Sequence, residues 1–191
     1  MDVDGRDIWE LDNMGNVINR IEDKEHDTFH IVEKNSDGEW QRTGSTISFA
    51  YGIFSFKDDA FVSSVEGAGA ELFKFLSDNT IVEFGMITTL SSKAIVFTDS
   101  DIKSINLYKK AQQLEINGET VTQLLHSHPN NTIPSGYIGE TKGDKFVAGQ
   151  LVSSNGYLVE HYVYNPKYNL LTQYDKDSII GVIDYYLIFG L

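Results

Sequence analysis

The sequence predicts an α+β fold, a mixed β-sheet flanked by helices and preceded by an N-terminal β-hairpin region. Residues 8–60 contain short β-rich runs divided by turn signals. Residues 64–78 and 144–151 carry apolar side chains at helical spacing. The remaining apolar runs are short or alternating and indicate strands, at 81–87, 94–97, 121–125, 157–163 and 169–174.

The first part of the chain is predicted to consist of hairpins. Asn13-Met14-Gly15-Asn16 and Asn35-Ser36-Asp37-Gly38 are turn signals between β-rich runs, and residues 47–56 form a third such run. Helical spacing begins only after this region. We therefore predict an N-terminal β-hairpin region at 1–60 and a second domain at 61–191.

Four segments of the second domain carry further structural signals. Residues 81–87 form a strand that is apolar on both faces except for one carboxylate. Residues 101–114 match a helical pattern only in part. Gly156 is expected to end the helix that starts at Asp144. Residues 179–191 are apolar and aromatic, so they are expected to pack, as either strand or helix.

The composition limits the classes of function. The chain has 191 residues, 41% of them hydrophobic, and a formal net charge of −13. Such a charge repels phosphate backbones, which argues against nucleic-acid binding and favours a basic partner or substrate surface. The absence of cysteine excludes disulfides, thiolate metal sites and a cysteine nucleophile. No apolar run is long enough to span a membrane, and the first residues do not resemble a signal peptide.

A histidine pair is the strongest chemical signal in the sequence. His126 and His128 end an apolar run, and residues two apart on a strand point to the same face. Pro129 cannot donate to a sheet ladder, so we expect the strand to end there, at a rim that a substrate can reach. The pattern predicts two imidazoles that face one metal ion.

Three further residues are candidates for the same site. Catalytic zinc usually has three protein ligands, and Asp144 at a helix start is the candidate for the third, although an Asp there is also a common N-cap. Glu83 is the one charge in its strand and shares a face with Gly85, which leaves room for water or substrate. A carboxylate placed in this way can act as a general base, or it is an edge-strand Glu that reaches solvent. The Ser135 hydroxyl could donate to an oxyanion or simply belong to a turn.

Together these residues resemble the JAMM (JAB1/MPN/Mov34) metalloprotease motif over roughly residues 64–160. The family pattern is a Glu on a strand, then His-x-His-Pro, then Ser-x-x-Asp. Here it is matched by Glu83, His126-Ser127-His128-Pro129, Ser135 and Asp144. The resemblance implies a cytidine-deaminase-like mixed sheet and a zinc-dependent peptidase or isopeptidase, with 61–191 as the metalloprotease domain.

The resemblance also implies a role for each residue. His126, His128 and Asp144 would bind Zn²⁺, Glu83 would activate the zinc-bound water, and Ser135 would stabilise the tetrahedral intermediate. The substrate would be an amide or isopeptide bond in a protein or peptide, with a ubiquitin-like protein as one candidate.

The hairpin-like start of the chain points to a particular group within this family. It resembles the region that precedes the JAB-like toxin domains at the C-termini of bacterial Rhs-type polymorphic toxins. This resemblance implies that the chain is secreted, or delivered into a target cell, as the C-terminal part of a larger protein. It also implies an immunity protein as a partner.

One departure from the family pattern concerns the third ligand. Eight residues separate Ser135 from Asp144, where the family has two. The position where the family expects the Asp is Ile138, which cannot bind a metal ion. We interpret 137–143 as an insertion that leaves Asp144 in the role, with Glu140 as a weaker substitute.

One further histidine and several other classes of protein need to be considered. His161 on a later strand is a possible fourth ligand, although a half-exposed strand histidine is the more common explanation for such a residue. A cupin would carry a Glu where this chain has Asn131 and Thr132. A zinc nucleobase deaminase would need a Cys-x-x-Cys pair, and the elbow of a serine hydrolase is absent. The main rival is a non-catalytic MPN-like module that binds a protein through a degenerate metal site.

Overall fold

The structure is a computed structural model that describes residues 7–22, 25–50, 52–102, 104–130, 133–137 and 143–190. The described strands are β1 (Asp7–Leu11), β2 (Val17–Glu22), β3 (His26–Lys34), β4 (Trp40–Ala50), β5 (Phe54–Lys57), β6 (Ala60–Ser63), β7 (Phe84–Thr89), β8 (Ala94–Thr98), β9 (Val121–Ser127), β10 (Ser153–Ser154), β11 (Tyr157–Leu158), β12 (Glu160–Asn165), β13 (Leu170–Tyr174) and β14 (Ile179–Asp184). The described helices are α1 (Glu66–Asn79), α2 (Leu107–Ile116), α3 (Asp144–Gln150) and α4 (Tyr185–Phe189). None of these helices is long and apolar enough to cross a membrane.

The N-terminal strands form a sheet of their own in the order β2-β1-β3-β4. β1 and β2 are an antiparallel hairpin, as are β3 and β4, so both predicted hairpins are confirmed. β1 also pairs with β3 in parallel. The third predicted run, 47–56, is divided between the end of β4 and the separate strand β5.

The second sheet has eight strands in the order β14-β13-β12-β9-β7-β8-β6-β5. β9 and β12 pair in parallel and the other neighbours are antiparallel, which makes the sheet mixed, as predicted. Helices flank this sheet, so the predicted α+β class is confirmed. The histidine-bearing strand β9 lies in the middle of the sheet, where neighbours on both sides fix its position.

Helices cover both faces of the central strands. In β7, Met86 belongs to the hydrophobic cluster under α1, and its neighbour Ile87 belongs to the cluster under α2. The same alternation divides Leu124 and Leu125 of β9 between the two clusters. All six residues of β7 are buried, as expected for a strand that is apolar on both faces.

The two sheets share one hydrophobic core. Trp9 and Phe29 of the N-terminal sheet pack against Phe61 of β6 with ring centroids 5.2 and 5.0 Å apart. The buried carboxylate of Asp27 accepts hydrogen bonds from the Phe54 backbone N–H at 2.8 Å and the Asp7 N–H at 3.1 Å. Burial raises the pKa of Asp27, which is consistent with its place beneath this aromatic cluster. The N-terminal sheet therefore packs on the second sheet rather than standing apart.

Three boundaries differ from the prediction. β7 begins at Phe84 rather than at residue 81, because the Glu83 N–H donates to the Asp101 carbonyl at 2.9 Å instead of to a strand neighbour. The ambiguous segment 101–114 resolves into an irregular stretch followed by α2. α3 ends at Gln150, and Gly156 lies instead in the turn between β10 and β11 with a φ of 86°.

The C-terminal segment combines both predicted possibilities. Residues 179–184 form the edge strand β14, and the short helix α4 follows. Tyr185 at the start of α4 is fully buried and donates a hydrogen bond to the Ala70 carbonyl of α1 at 2.8 Å. Tyr185 thus packs the C-terminal segment against the core, as the apolar and aromatic composition of that segment predicts.

The packing of α1 on the sheet gives a testable contrast between two glycines of one helix. A Cβ on Gly69 would overlap the Ala94 Cβ of β8, whereas a Cβ on Gly67 would meet no atom within 4 Å. We expect Gly69→Ala to lower the free energy of unfolding by about 1–3 kcal/mol through overpacking. Gly67→Ala should leave it unchanged or raise it by up to about 1 kcal/mol, because alanine favours the helix. Urea denaturation of both variants checks this, and equal shifts would contradict the close contact between α1 and β8.

Candidate metal centre

The histidine pair lies where β9 ends. His126 pairs with Gly85 of β7 on one side and with Val163 of β12 on the other. His128 lies just beyond the strand, and its N–H still donates to the Tyr164 carbonyl at 2.8 Å. The backbone therefore stays extended across both histidines. Their Nε2 atoms are 3.1 Å apart, so the two rings converge as the two-residue spacing predicts.

Ser127, between the histidines, faces the opposite side of the sheet. Its side chain is fully buried, and its Oγ accepts a hydrogen bond from the Phe84 N–H at 2.9 Å. This bond ties the start of β7 to the end of β9. It thereby sets the position of Glu83, the residue before Phe84, relative to the histidines.

Asp144 reaches the histidines from the first turn of α3. Its Oδ1 lies 3.0 Å from His126 Nε2, and its Oδ2 lies 3.5 Å from His128 Nε2. The residues that follow Ser135 in the loop thus do not keep Asp144 away from the pair. Ile138 and Glu140, the other two positions considered for the third ligand, lie outside the described residues.

Glu83 lies on the same side of the sheet as the histidines, immediately before β7. Its Oε1 is 3.8 Å from His128 Nε2, and 7% of the residue is exposed. Burial raises the pKa of Glu83 to about 7, although the nearby His126 opposes the shift. The prediction of a buried carboxylate beside the histidines agrees with this placement.

Gly85 has a different effect from the one predicted. We expected it to leave room for water or substrate, but the space is occupied by apolar side chains. A Cβ on Gly85 would lie 2.9 Å from the Ile105 side chain and 3.1 Å from that of Leu107. Both side chains come from the segment that leads into α2, whose position the sequence pattern left undecided. Gly85 thus allows an apolar wall to approach β7.

His161 is not part of the cluster in the structure. It is 4% exposed rather than half-exposed, and its Nε2 lies 2.9 Å from the Leu151 carbonyl. Burial lowers the pKa of His161, which favours the neutral ring. The structure therefore gives this histidine a partner in the segment after α3 rather than a place beside His126.

Ser135 faces Asp144. The Ser135 N–H donates to Asp144 Oδ2 at 2.6 Å, and the Ser135 Oγ lies 3.1 Å from the same oxygen. The structure gives the hydroxyl a partner other than the predicted oxyanion. The sequence shows no sign of this contact, because the two residues are nine positions apart.

The site is electrostatically coupled. Burial raises the pKa of the Asp144 carboxyl, but the His126 ring that contacts it outweighs burial and holds the pKa well below its usual range. Burial also opposes protonation of His126, yet Asp144 raises the pKa of that ring overall. Burial and the neighbouring His126 lower the pKa of His128 to about 4. Asp144 thus favours the protonated ring of His126, whereas the ring of His128 is held neutral. The neutral ring is the form in which a histidine binds a metal ion.

The three donor atoms fit a small divalent metal ion. Tetrahedral zinc with bonds of about 2.0–2.1 Å places its ligand atoms about 3.3 Å from one another. Here the two histidine Nε2 atoms are 3.1 Å apart, Asp144 Oδ1 lies 3.0 Å from His126 Nε2, and Asp144 Oδ2 lies 3.5 Å from His128 Nε2. With one ligand atom taken from each residue, the three atoms lie within 4.8 Å of one another. Two imidazole nitrogens and one carboxylate oxygen are also a donor set that zinc accepts. His126, His128 and Asp144 could therefore hold a metal ion, as their clustering indicates.

The cluster opens into a cavity of about 520 Å³. Glu83 lies on the cavity wall beside the histidines, and the apolar part of the wall is formed by Ile105, Leu107, Val147 and Tyr174. The histidines, Glu83 and Asp144 thus face a space large enough for a short stretch of polypeptide. Sequence reasoning did not identify the apolar wall, because its residues come from α2, the irregular stretch before it, α3 and β13.

Comparison with known proteins adds one match. The profile of the family described as JAB-like toxin 1 matches residues 60–149, from the start of β6 to the last turn of α3. This range contains all five predicted site residues. No curated protein and no solved structure matches the chain. The match supports a JAB-like toxin domain at residues 60–149 and is consistent with the JAMM resemblance.

Proposed function

We propose that this domain is a zinc-dependent peptidase or isopeptidase of the JAMM type. The observation that carries the proposal is the convergence of His126, His128 and Asp144 in one cavity that Glu83 also lines. Three protein ligands leave one position of a tetrahedral metal open, which distinguishes catalytic from structural zinc sites. The match to the JAB-like toxin family supports the same assignment.

Each residue of the site has a separate role in the proposed hydrolysis. Zinc, when bound, would lower the pKa of water and polarise the scissile carbonyl. His126, His128 and Asp144 would hold the ion, and Glu83 Oε1 would take a proton from the attacking water. As the carbon–nitrogen bond breaks, Glu83 delivers this proton to the leaving amine. Burial raises the pKa of Glu83 in the metal-free site, and a general base is most effective when its pKa lies near the working pH.

The cavity wall limits what can enter. Ile105 and Leu107 line the same cavity as Glu83, and their apolar side chains make this part of the wall unfavourable for charged groups. With a formal net charge of −13 for the whole chain, a substrate with a basic surface is favoured.

The family match and the JAMM resemblance also support a proposal for the biological setting. The substrate would be an amide or isopeptide bond in a target protein, with a ubiquitin-like protein as a candidate. The toxin family would place this domain at the C-terminus of a larger bacterial Rhs-type protein, delivered into a target cell and neutralised by an immunity protein. We also propose 61–191 as the catalytic domain and 1–60 as a β-hairpin region that packs on it.

The non-catalytic MPN-like module is the alternative function. Its main support in the sequence was the displaced Asp, which suggested a degenerate site. The distance of 3.0 Å between Asp144 and His126 weakens that argument. The catalytic proposal is therefore favoured.

Metal content tests the proposal directly. We expect protein expressed with zinc and purified without chelators to contain about one zinc per chain, measured by inductively coupled plasma mass spectrometry for zinc and competing metals. An anomalous-scattering map should place the ion between His126, His128 and Asp144. Well under one metal per chain would contradict the proposal and support the non-catalytic module.

A further inference from the structure

Ser135 contacts the start of α3 through four hydrogen bonds. Its N–H donates to Asp144 Oδ2 at 2.6 Å, and its hydroxyl lies 3.1 Å from the same oxygen. The Asp144 N–H donates to Ser135 Oγ at 3.0 Å, and the Lys145 N–H donates to the Ser135 carbonyl at 3.2 Å. One serine thus satisfies two N–H groups at the helix start and holds one side-chain oxygen of Asp144.

These bonds assign different partners to the two carboxylate oxygens of Asp144. Oδ2 accepts from the N–H and the hydroxyl of Ser135 and lies 3.5 Å from His128 Nε2, while Oδ1 lies 3.0 Å from His126 Nε2 and makes no bond to the serine. A carboxylate held in this way cannot rotate without losing both serine bonds. Oδ1 is therefore oriented toward the histidines before any metal ion binds.

Gly143 makes this close approach possible. Its φ of 109° is a conformation that residues with a side chain rarely adopt. A Cβ at this position would overlap the Ser135 Oγ and lie 2.9 Å from the Ser135 Cβ. The residue before Asp144 must therefore be small for the serine to reach the carboxylate.

Nearby contacts hold the serine side of the loop in place. The Tyr137 hydroxyl donates to the Asp175 carbonyl after β13. The Tyr137 ring packs edge-on against that of Tyr174, with centroids 6.3 Å apart. Ser135 is thus connected to the sheet independently of the residues between Tyr137 and Gly143.

We propose that Ser135 is a positioning residue for the third metal ligand, orienting Asp144 Oδ1 toward the ion. The inference rests on the proposed metal function and deepens it. The hydroxyl has one proton, and its donation to Asp144 Oδ2 leaves none for an oxyanion. Since hydrogen-bond partners of metal ligands set ligand orientation, loss of Ser135 is expected to weaken metal binding itself.

A double-mutant cycle on zinc affinity tests the proposal. Affinities are measured by competition with a chromophoric chelator for the wild type, Ser135→Ala, Asp144→Ala and the double variant. We expect Ser135→Ala to weaken zinc binding by roughly 10- to 100-fold. In the Asp144→Ala background the same change should cost almost nothing, because the serine acts through the carboxylate. Ser104→Ala, an exposed serine at the same cavity, is the matched control and should keep wild-type affinity.

The outcomes separate this inference from the proposed function. Full zinc affinity of Ser135→Ala would overturn the positioning role, and a lower kcat in that variant would instead place the hydroxyl on the substrate. Neither result would argue against zinc binding by His126, His128 and Asp144. A wild-type chain that binds no zinc would overturn both proposals. If Ser135→Ala fails to fold by circular dichroism, Gly143→Ala displaces the same contact from the other side and decides the question by the same affinity measurement.

Discussion

Glu83→Gln should lower the rate of amide or isopeptide hydrolysis by about 10²- to 10⁴-fold while the protein stays folded and keeps its metal. The amide has the shape of the carboxyl group but cannot take a proton from water, so the contribution of a general base is lost. Glu83 is not among the three clustered donors, so zinc content should not change. The buried position also favours the neutral amide over a charged carboxylate, so no loss of stability is expected.

The measurement compares kcat for the wild type and Glu83→Gln on one isopeptide-linked substrate, with zinc content determined on the same samples. Glu39→Gln is the matched control, because Glu39 is exposed beside the β3–β4 turn and has no role in the site. Wild-type turnover in Glu83→Gln would refute the proposed mechanism even if zinc is present.

His126→Ala should weaken zinc binding so strongly that the stabilisation by zinc is lost at the zinc concentration used. Zinc at about 100 times its Kd stabilises a folded protein by about 2.7 kcal/mol. For a chain of this size that corresponds to a rise in Tm of roughly 5–10 °C. Removal of one of three ligands leaves two donors, so we expect almost no rise in Tm for the variant and no cleavage. Thermal unfolding with and without added zinc measures the effect.

A surface histidine provides the control for this experiment. His26 is exposed at the start of β3, and His26→Ala should retain the full rise in Tm with zinc. An equal rise in His126→Ala and the wild type would show that zinc binds elsewhere. A variant that is unfolded even without zinc would show that His126 is needed for packing, which its burial at 2% exposure makes worth checking.

Local periodicity predicted most elements of the fold. The helical spacing of Leu72, Phe73 and Leu76 predicted α1, and alternation around His126 and His128 predicted converging rings on β9. These features depend on residues close in sequence, whose geometry follows from the regular repeat of a helix or strand. The same reasoning left 101–114 undecided, because an irregular stretch and a helix share that segment.

The arrangement of distant segments could not be predicted in the same way. Local patterns do not show that Ile105 and Leu107 fill the space beside Gly85, nor that Trp9 of the N-terminal sheet packs on Phe61. Such contacts depend on how sheet faces and loops pack together, which a window of neighbouring residues does not encode.

The histidine pair shows both what local sequence predicts and what depends on distant contacts. The sequence by itself determined that His126 and His128 face the same way, since side chains two apart on a strand share a face. Only the tertiary structure decided that Asp144 completes the cluster, nine positions beyond Ser135. The physical reason is that Ser135 and Asp144 exchange hydrogen bonds at the start of α3, and Asp144 Oδ1 lies 3.0 Å from His126 although nine positions separate Asp144 from Ser135.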